Sequence, residues 1–225
     1  MMADTCVSHV PIFAGLSAPD QERVTALARP LLLSEGEFAY TPGTAAKLMV
    51  VHTGRLKISR LSADGSEQLI RVLGPGEFTG ETAVLSGHAP NDHAAALDDC
   101  GLCVFHHSDL AALVREHPEI GLRMLAAISE RLSDTEHRLN ALTTRGVESR
   151  LADYLLGLPR SKRDHLALVT LPLAKKDVAS LLDTTPESLS RALRSLAGKG
   201  VISIGAGRSV SITQPDLLQQ IVDEE

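Results

Sequence analysis

A single apolar stripe running from residue 119 to about residue 145 dictates how the rest of this chain can be arranged. Over that stretch there is no proline and one glycine, and Gly121, Leu125, Ile128, Leu132, Thr135, Leu139 and Leu142 recur at alternating steps of four and three. Such steps return a side chain to one side of a helix about every 3.5 residues, the repeat by which two helices wind around each other. A stripe this narrow on a helix this long reads as a seam against a second, identical helix rather than as a face packed on the chain's own roll. A homodimer is therefore expected, joined through Leu125, Ile128, Leu132, Thr135, Leu139 and Leu142. Each seam leucine or isoleucine, fully buried, contributes about 1.5–3 kcal/mol before ordering costs, and Thr135 is the weak point.

The two flanks of that helix have different grammars. From Leu31 to Phe105 short alternating or β-branched segments are punctuated by turn residues: Glu35-Gly36-Glu37, Pro42-Gly43, Thr53-Gly54, Asp64-Gly65, Gly74-Pro75-Gly76 and Ser86-Gly87. Glycines at such points supply positive φ, and Asp64-Gly65 between Leu56–Leu61 and Glu67–Leu73 is a strong hairpin signal, so an antiparallel roll or barrel is predicted. Ahead of it, Ser17-Ala18-Pro19-Asp20 opens a helix to about Arg29, with Ser17 as N-cap.

Beyond the stripe, Gly146 starts a second helix to about Leu156, a polar connection spans residues 158–164, and a hinge is placed near residues 143–147. Ala174–Leu182 then reads as a short helix, Asp183-Thr184-Thr185 as a turn, Pro186 to about Gly198 as a second helix, and Val201–Thr213 as a hairpin around Gly205-Ala206-Gly207. Two helices, a tight turn and a two-stranded wing make a winged helix-turn-helix. Thr185 caps the second helix, Pro186 costs no hydrogen bond at its first position, and Glu187 complements the dipole. The fold class is thus α+β, with a β-roll over residues 1–117, a dimerisation helix over 118–145 and a winged helix-turn-helix over 146–225.

Charge follows the same division. Residues 1–145 carry 12 Lys+Arg against 18 Asp+Glu, residues 146–214 carry 10 against 6, and the last eleven carry four acids and no base. A basic block in an otherwise acidic chain points to nucleic acid at that block, because neutralising phosphates supplies most sequence-independent affinity. On the second helix Glu187, Ser190 and Arg191 share one face by their offsets of three and four. A carboxylate there accepts from cytosine N4, a guanidinium bonds guanine bidentately, and a serine serves a base or a phosphate. Arg194, Lys175, Lys176, Lys199 and Arg208 are spaced to reach backbone phosphates, and Thr185 and Ser188 are counted with them among the DNA-binding residues. The plainer alternative is a solvated helix with a Glu187–Arg191 pair, worth about 0.2–0.5 kcal/mol.

Other function classes find little support. There is no nucleophile-base-orienter set, no phosphate loop and no paired carboxylates in a plausible cleft, so an enzyme is not expected. No run of about eighteen apolar residues occurs, and MMADTCVSHV lacks the basic and apolar regions of a secretory signal, which predicts a cytoplasmic protein with no membrane partner.

Together the roll, seam helix and winged helix resemble the CRP/FNR superfamily of transcription regulators over nearly the whole chain. Gly76-Glu77-Phe78-Thr79-Gly80-Glu81 is similar to that family's roll signature, and Thr185-Pro186-Glu187-Ser188-Leu189-Ser190-Arg191 is similar to the recognition helix of its FNR branch. The resemblance implies an FNR-like inverted repeat of TTGAT half-sites as the DNA partner, and RNA polymerase as a protein partner. It also argues against cyclic nucleotides. Members that bind them keep an Arg-Ser pair about ten residues beyond the Gly-Glu, where this chain reads Asn91-Asp92-His93. A carboxylate facing a phosphate at 4 Å costs roughly 4 kcal/mol at an effective dielectric near 20. Glu81 keeps the ribose-type acceptor, and Asp183 stands where many helix-turn-helix turns have glycine.

The three cysteines, Cys6, Cys100 and Cys103, all lie in the expected sensor. With His9 they give Cys6-x-x-His9 and Cys100-x-x-Cys103, two pairs whose spacing suits a tetrahedral zinc site or an iron-sulfur cluster. By resemblance, Cys103 falls where FNR-type proteins keep a central cluster cysteine, and Cys6 where the N-terminal ones sit. The FNR pattern has several N-terminal cysteines and this chain has one, so His9 or an acid would have to complete a cluster. A redox disulfide between Cys6 and Cys103 or between Cys100 and Cys103 is a further reading, as are plain buried thiols. The expected function is a homodimeric DNA-binding regulator whose roll senses a redox or oxygen signal. The alternatives are a small-molecule-binding module that controls a protein partner, or an effector-independent regulator with structural cysteines.

Overall fold

The computed structural model describes residues 10–223 other than 14, 46, 63, 64, 164 and 165. The chain falls into two compact units divided between Arg131 and Leu132. In the first unit a 3₁₀ turn over Pro11–Phe13 precedes α1 (Ala18–Leu27), whose Ser17 cap accepts the Asp20 amide at 3.4 Å as the sequence predicts. Then come β1 (Arg29–Leu33), β2 (Phe38–Tyr40), β3 (Lys47–Thr53), β4 (Leu56–Leu61), β5 (Glu67–Leu73) and β6 (Phe78–Thr79). After them follow α2 (Glu81–Ser86), β7 (His93–Ala96), β8 (Cys100–His106), α3 (His107–Glu116) and α4 (Pro118–Thr144). The strands form two antiparallel four-stranded sheets, ordered β1-β8-β3-β6 and β2-β7-β4-β5. The hairpin read around Asp64-Gly65 is present as the β4–β5 pair, with Leu61 opposite Glu67, although Asp64 lies outside the described residues.

The near-continuous apolar run of β8 has a physical reason: the strand is buried on both faces. Alternation sends Leu102 and Val104 into the core between the sheets, with Val51, Ile58 and Leu73. It sends Cys103 and Phe105 to the other face, where Phe13, Val24 of α1, Leu113 of α3 and Ile120 of α4 close a second core. The short α2 carries no periodicity that the sequence could reveal. It is placed by Gly80, which has φ +86° and whose missing Cβ leaves room for the Lys47 carbonyl. That turn projects Glu81 from the first residue of α2.

The second unit holds the remainder of α4, then α5 (Val147–Gly157), β9 (Arg160–Arg163), β10 (Leu166–Thr170), α6 (Lys175–Leu181), α7 (Pro186–Gly198), β11 (Ile202–Ile204), β12 (Ser209–Ile212) and α8 (Pro215–Asp223). Its antiparallel sheet is ordered β11-β12-β10-β9. Part of the expected polar connection over residues 158–164 is therefore a strand, β9. It contains no apolar residue for a pattern to catch. The C-terminal acids belong to α8, which buries Leu218 and Val222 four residues apart against the unit. α5 packs on both α7 and α8. The result is an α+β chain with an N-terminal roll of the cyclic-nucleotide-binding type, a long helix and a C-terminal winged helix-turn-helix.

Candidate nucleic-acid interface and sensor sites

α7 is fixed from both ends of its first turn. Thr185 caps it by accepting the Ser188 amide at 3.2 Å, and Pro186 opens it. Asp183, at φ 47°, is the one non-glycine residue with positive φ among the described residues, so the aspartate does take the strained turn position that glycine often fills. Leu189, Ala192, Leu193 and Leu196 bury one face of the helix. The opposite side presents Glu187, Ser190, Arg191 and Arg194, which with Pro186 line a shallow surface concavity. Glu187, Arg191 and Arg194 are exposed and Ser190 is half-buried.

The local bonds on this face leave its bonding capacity directed outward. Arg191 Nη2 donates to Ser188 Oγ at 2.9 Å, Ser190 Oγ donates to the Pro186 carbonyl at 2.8 Å, and Arg194 Nε donates to the Ser190 carbonyl at 3.2 Å. Arg191 is thus steadied by Ser188, not by the Glu187 pair that the solvated-helix reading requires. A guanidinium held by one nitrogen keeps a fork for a base edge, and Glu187 keeps its carboxylate as an acceptor.

The other basic candidates differ among themselves. Lys175 and Lys176 are exposed in the first turn of α6. Arg208 Nη1 is bonded to the Pro172 carbonyl at 3.3 Å beside the wing. Lys199 is ion-paired to Glu148 of α5. Burial pushes the Glu148 carboxyl up, but hydrogen bonds from Lys199 and Ser195, and the Lys199 charge, outweigh it and hold the carboxyl below the usual range. Two arginines that charge counting did not single out, Arg138 and Arg150, bond to carbonyls of the helix-turn-helix turn.

Along α4 the expected seam residues separate into two groups. Leu125, Leu132 and Leu139 are exposed at 63, 58 and 58 %. Leu122, which the sequence reading left out, joins them at 67 %. Ile128, by contrast, is partly buried against the helix-side core of the roll, below Ile120 and Met124 on the same side of the helix. Thr135 is exposed and Leu142 half-buried.

In the roll, Glu81 is held by the chain itself. Its Oε1 accepts from Arg131 Nη1 at 2.7 Å and Arg71 Nη2 at 3.2 Å. Arg131 also donates to the Phe78 carbonyl at 3.2 Å and lies over the Phe78 ring at 5.1 Å. Burial pushes the Tyr40 hydroxyl's pKa up, Asp92 adds to the shift, and that hydroxyl is hydrogen-bonded to Thr79 Oγ1 at 2.9 Å. Arg71 Nε, Glu81 Oε2, Asp92 Oδ1 and His93 Nδ1 are buried without a protein partner. The acceptor that the resemblance assigns to a ribose is therefore engaged by two arginines, and Asp92 brings a carboxylate to the same side of the roll. These residues do not fit a cyclic nucleotide.

The cysteines are likewise separated. Cys100 looks into the core between the sheets and Cys103 into the helix-side core, because residues three apart on a strand point to opposite faces. The turn before β8 does not bring them together, so neither a Cys100–Cys103 disulfide nor a shared metal site is available to that pair. Burial, with a smaller push from Asp98, raises the Cys100 thiol to about 11, which keeps it protonated and a poor metal ligand at neutral pH. Cys100 is free, whereas Cys103 is disulfide-bonded. Cys6 and His9 lie outside the described residues. Among the described residues no group of three or more His, Cys, Asp or Glu could hold a metal ion, and Cys100 and Cys103 do not converge on one. No helix of the described residues is long and apolar enough to cross a membrane.

Comparison with known proteins agrees with this geometry. Residues 149–221 match the model of the Crp-like helix-turn-helix domain and residues 31–117 that of the cyclic nucleotide-binding domain. The chain is 33% identical to the "Probable transcriptional regulator flp" of Lacticaseibacillus casei, over 94% of this chain and 95% of the relative. It is 28% identical to the "Cyclic AMP receptor protein" of Thermus thermophilus, over 94% and 96%. The solved structure of a CooA mutant from Carboxydothermus hydrogenoformans superposes with a TM-score of 0.79 at 19% identity, covering 99% of this chain and 98% of that one.

Proposed function

We propose, on the premise that this chain belongs to the CRP/FNR superfamily of transcription regulators, that it is a homodimeric, sequence-specific DNA-binding regulator of the FNR-like branch whose roll reports thiol oxidation. One observation carries the DNA reading: a capped α7 turns Glu187, Ser190 and Arg191 outward on one exposed face, beyond a turn that Asp183 holds at positive φ. Two such helices, related by pairing of α4 along Leu125, Leu132 and Leu139, meet an inverted repeat of TTGAT half-sites. In each half-site Arg191 and Glu187 contact base edges, while Arg194, Lys175, Lys176 and Arg208 contact phosphates. Such a target places the protein in the cytoplasm with RNA polymerase as its partner at promoters.

The sensing reading rests on Cys103. It is disulfide-bonded while Cys100 is free, and Cys6 is the one other cysteine of the chain. Val10, four residues beyond Cys6, shares the helix-side core with Cys103. The switch is oxidation of the Cys6 and Cys103 thiols by a peroxide: the S–S bond forms as the peroxide O–O bond breaks, the two electrons pass to the peroxide oxygens, and the two thiol protons leave on them as water and alcohol (or two waters). Disulfides in a reducing compartment are for the most part transient or redox-sensing, which suits this role.

Selection of duplexes from a random library by the wild-type chain, followed by anisotropy titration, tests the DNA reading. An inverted repeat is expected to emerge, and Arg191→Ala is expected to weaken binding to it about 10- to 100-fold while leaving non-specific binding nearly unchanged. A wild-type chain that selects no sequence would overturn the reading in favour of a module that acts on a protein partner.

A further inference from the structure

The turn that precedes α7 is gripped at three consecutive carbonyls by two guanidiniums. Arg138 Nη2, from α4, donates to the Leu181 carbonyl at 2.9 Å. Arg150, from α5, donates through Nε to the Leu182 carbonyl at 3.2 Å and lies with Nη2 3.5 Å from the Asp183 carbonyl. The same guanidinium reaches back with Nη1 to the Arg145 carbonyl at 2.7 Å, one residue beyond the end of α4. One planar group therefore spans the junction between α4 and α5 on one side and the reading turn on the other. These carbonyls stand at the negative end of α6, where a helix leaves its last acceptors without internal partners and where positive charge is favoured.

From this geometry we infer that Arg150, assisted by Arg138, is a positioning clamp that sets the orientation of α7 from the end of α4 and so tunes specific DNA affinity without touching DNA. The fork is what the task needs. A lysine at position 150 keeps the charge and most of the stem, yet its three donors radiate from one nitrogen and lack the planar fork by which separate guanidinium nitrogens reach the Arg145 and Leu182 carbonyls. Arg138 neighbours Leu139 of the exposed stripe on α4, so a change in how two α4 helices pair alters the grip on the Leu181 carbonyl one residue away. Because the carbonyls belong to the turn that holds Asp183 at φ 47°, slack in the clamp is felt at the residue that aims α7.

The inference deepens the DNA-binding reading, and its test separates the two. Full-length wild type, Arg150→Lys and Arg138→Gln are titrated against the duplex selected by wild type and against an unrelated duplex, over a range of salt. Arg150→Lys is expected to bind the selected duplex about tenfold more weakly, with unrelated-duplex affinity and the salt slope unchanged. A phosphate contact behaves differently, flattening the slope by about 0.9 per lost charge and weakening both duplexes, as Arg138→Gln would do if it touched DNA. In free protein, exchange of the Thr184 amide, which donates to the Ala179 carbonyl, is expected to speed up in Arg150→Lys while that of the Val178 amide holds. The clamp is overturned if Arg150→Lys melts earlier but keeps both the selected-duplex affinity and the Thr184 exchange rate, or if it weakens both duplexes alike. Should Arg150→Lys fail to fold, the same two readouts on Arg138→Gln decide. A wild-type chain with no preferred duplex would instead overturn the DNA reading, while the amide exchange result still judges the clamp.

Discussion

Lys199 carries a positive charge at the end of the reading helix, and what it does there depends on Glu148. The carboxylate holds the ammonium against α5, so Lys199 steadies α7 on its support before any phosphate competes for it. The pair is partly exposed, at 52 % for Lys199 and 25 % for Glu148, which limits its worth to about 0.5–1 kcal/mol. Its pH dependence has a definite sign. The folded carboxyl lies below its unfolded value, so its contribution is present above the unfolded pKa and is lost as pH falls through the folded one. Denaturation of Glu148→Gln beside wild type is expected to show a deficit of that size at pH 7 that fades as the pH falls through and below the ordinary carboxylate range. A deficit that persists unchanged into acid would mean that the glutamate acts through packing, not charge.

Among the elements, α4 decides most, and its two sides do different work. Ile120 and Met124 are buried in the roll, and Ile128 is partly buried on the same side, while Leu122, Leu125, Leu132 and Leu139 stand exposed. In the proposed pairing of α4 with its copy, a charge introduced at Leu132 enters the seam twice, so Leu132→Glu is expected to weaken the dimer by about 3–6 kcal/mol, two to four decades. Light scattering across a dilution series measures this. Ile128→Ala is expected to lower the melting point of the roll with little change in the dimer constant. Equal dissociation of both variants would put Ile128 back in the seam. The heptad spacing made the helix and its exposed stripe legible from sequence, but spacing alone does not say which of two neighbouring stripes the roll has already taken. Similar limits explain the other gaps. β9 has no apolar residue to register, and α2 is created by Gly80 and the close passage of Lys47. The cap at Thr185, the turn at Asp183 and the Glu187, Ser190, Arg191 face were legible because each follows from a local rule. The grip of Arg71 and Arg131 on Glu81 was not, since it joins residues 10 and 50 positions apart.

At the level of the whole molecule, the proposed thiol switch requires a route from Cys103 to α7, and α4 is the element that could carry it. Cys103 sits in the core that also buries Ile120 and Met124, so anything that tightens this core bears on the start of α4. α4 then runs without a break to Thr144, beside the Arg145 carbonyl that Arg150 holds. The disulfide proposed between Cys6 and Cys103 would close a loop of nearly a hundred residues, for which chain entropy alone gives about 4–5 kcal/mol of stabilisation. Reductant is therefore expected to lower the melting midpoint by on the order of 10 °C. Cys103→Ser is expected to melt like reduced wild type in either redox state, and Cys100→Ser to respond to reductant as wild type does. If the loop restrains α4, specific DNA affinity differs between the two redox states by about 5-fold or more, the usual scale of coupling between distant sites. Calorimetry and anisotropy on the same oxidised and reduced samples measure both quantities. A midpoint that moves while affinity stays fixed would leave the disulfide as a staple of the roll and remove it as a signal, because a restraint that does not distinguish the DNA-binding arrangement of α4 cannot shift it.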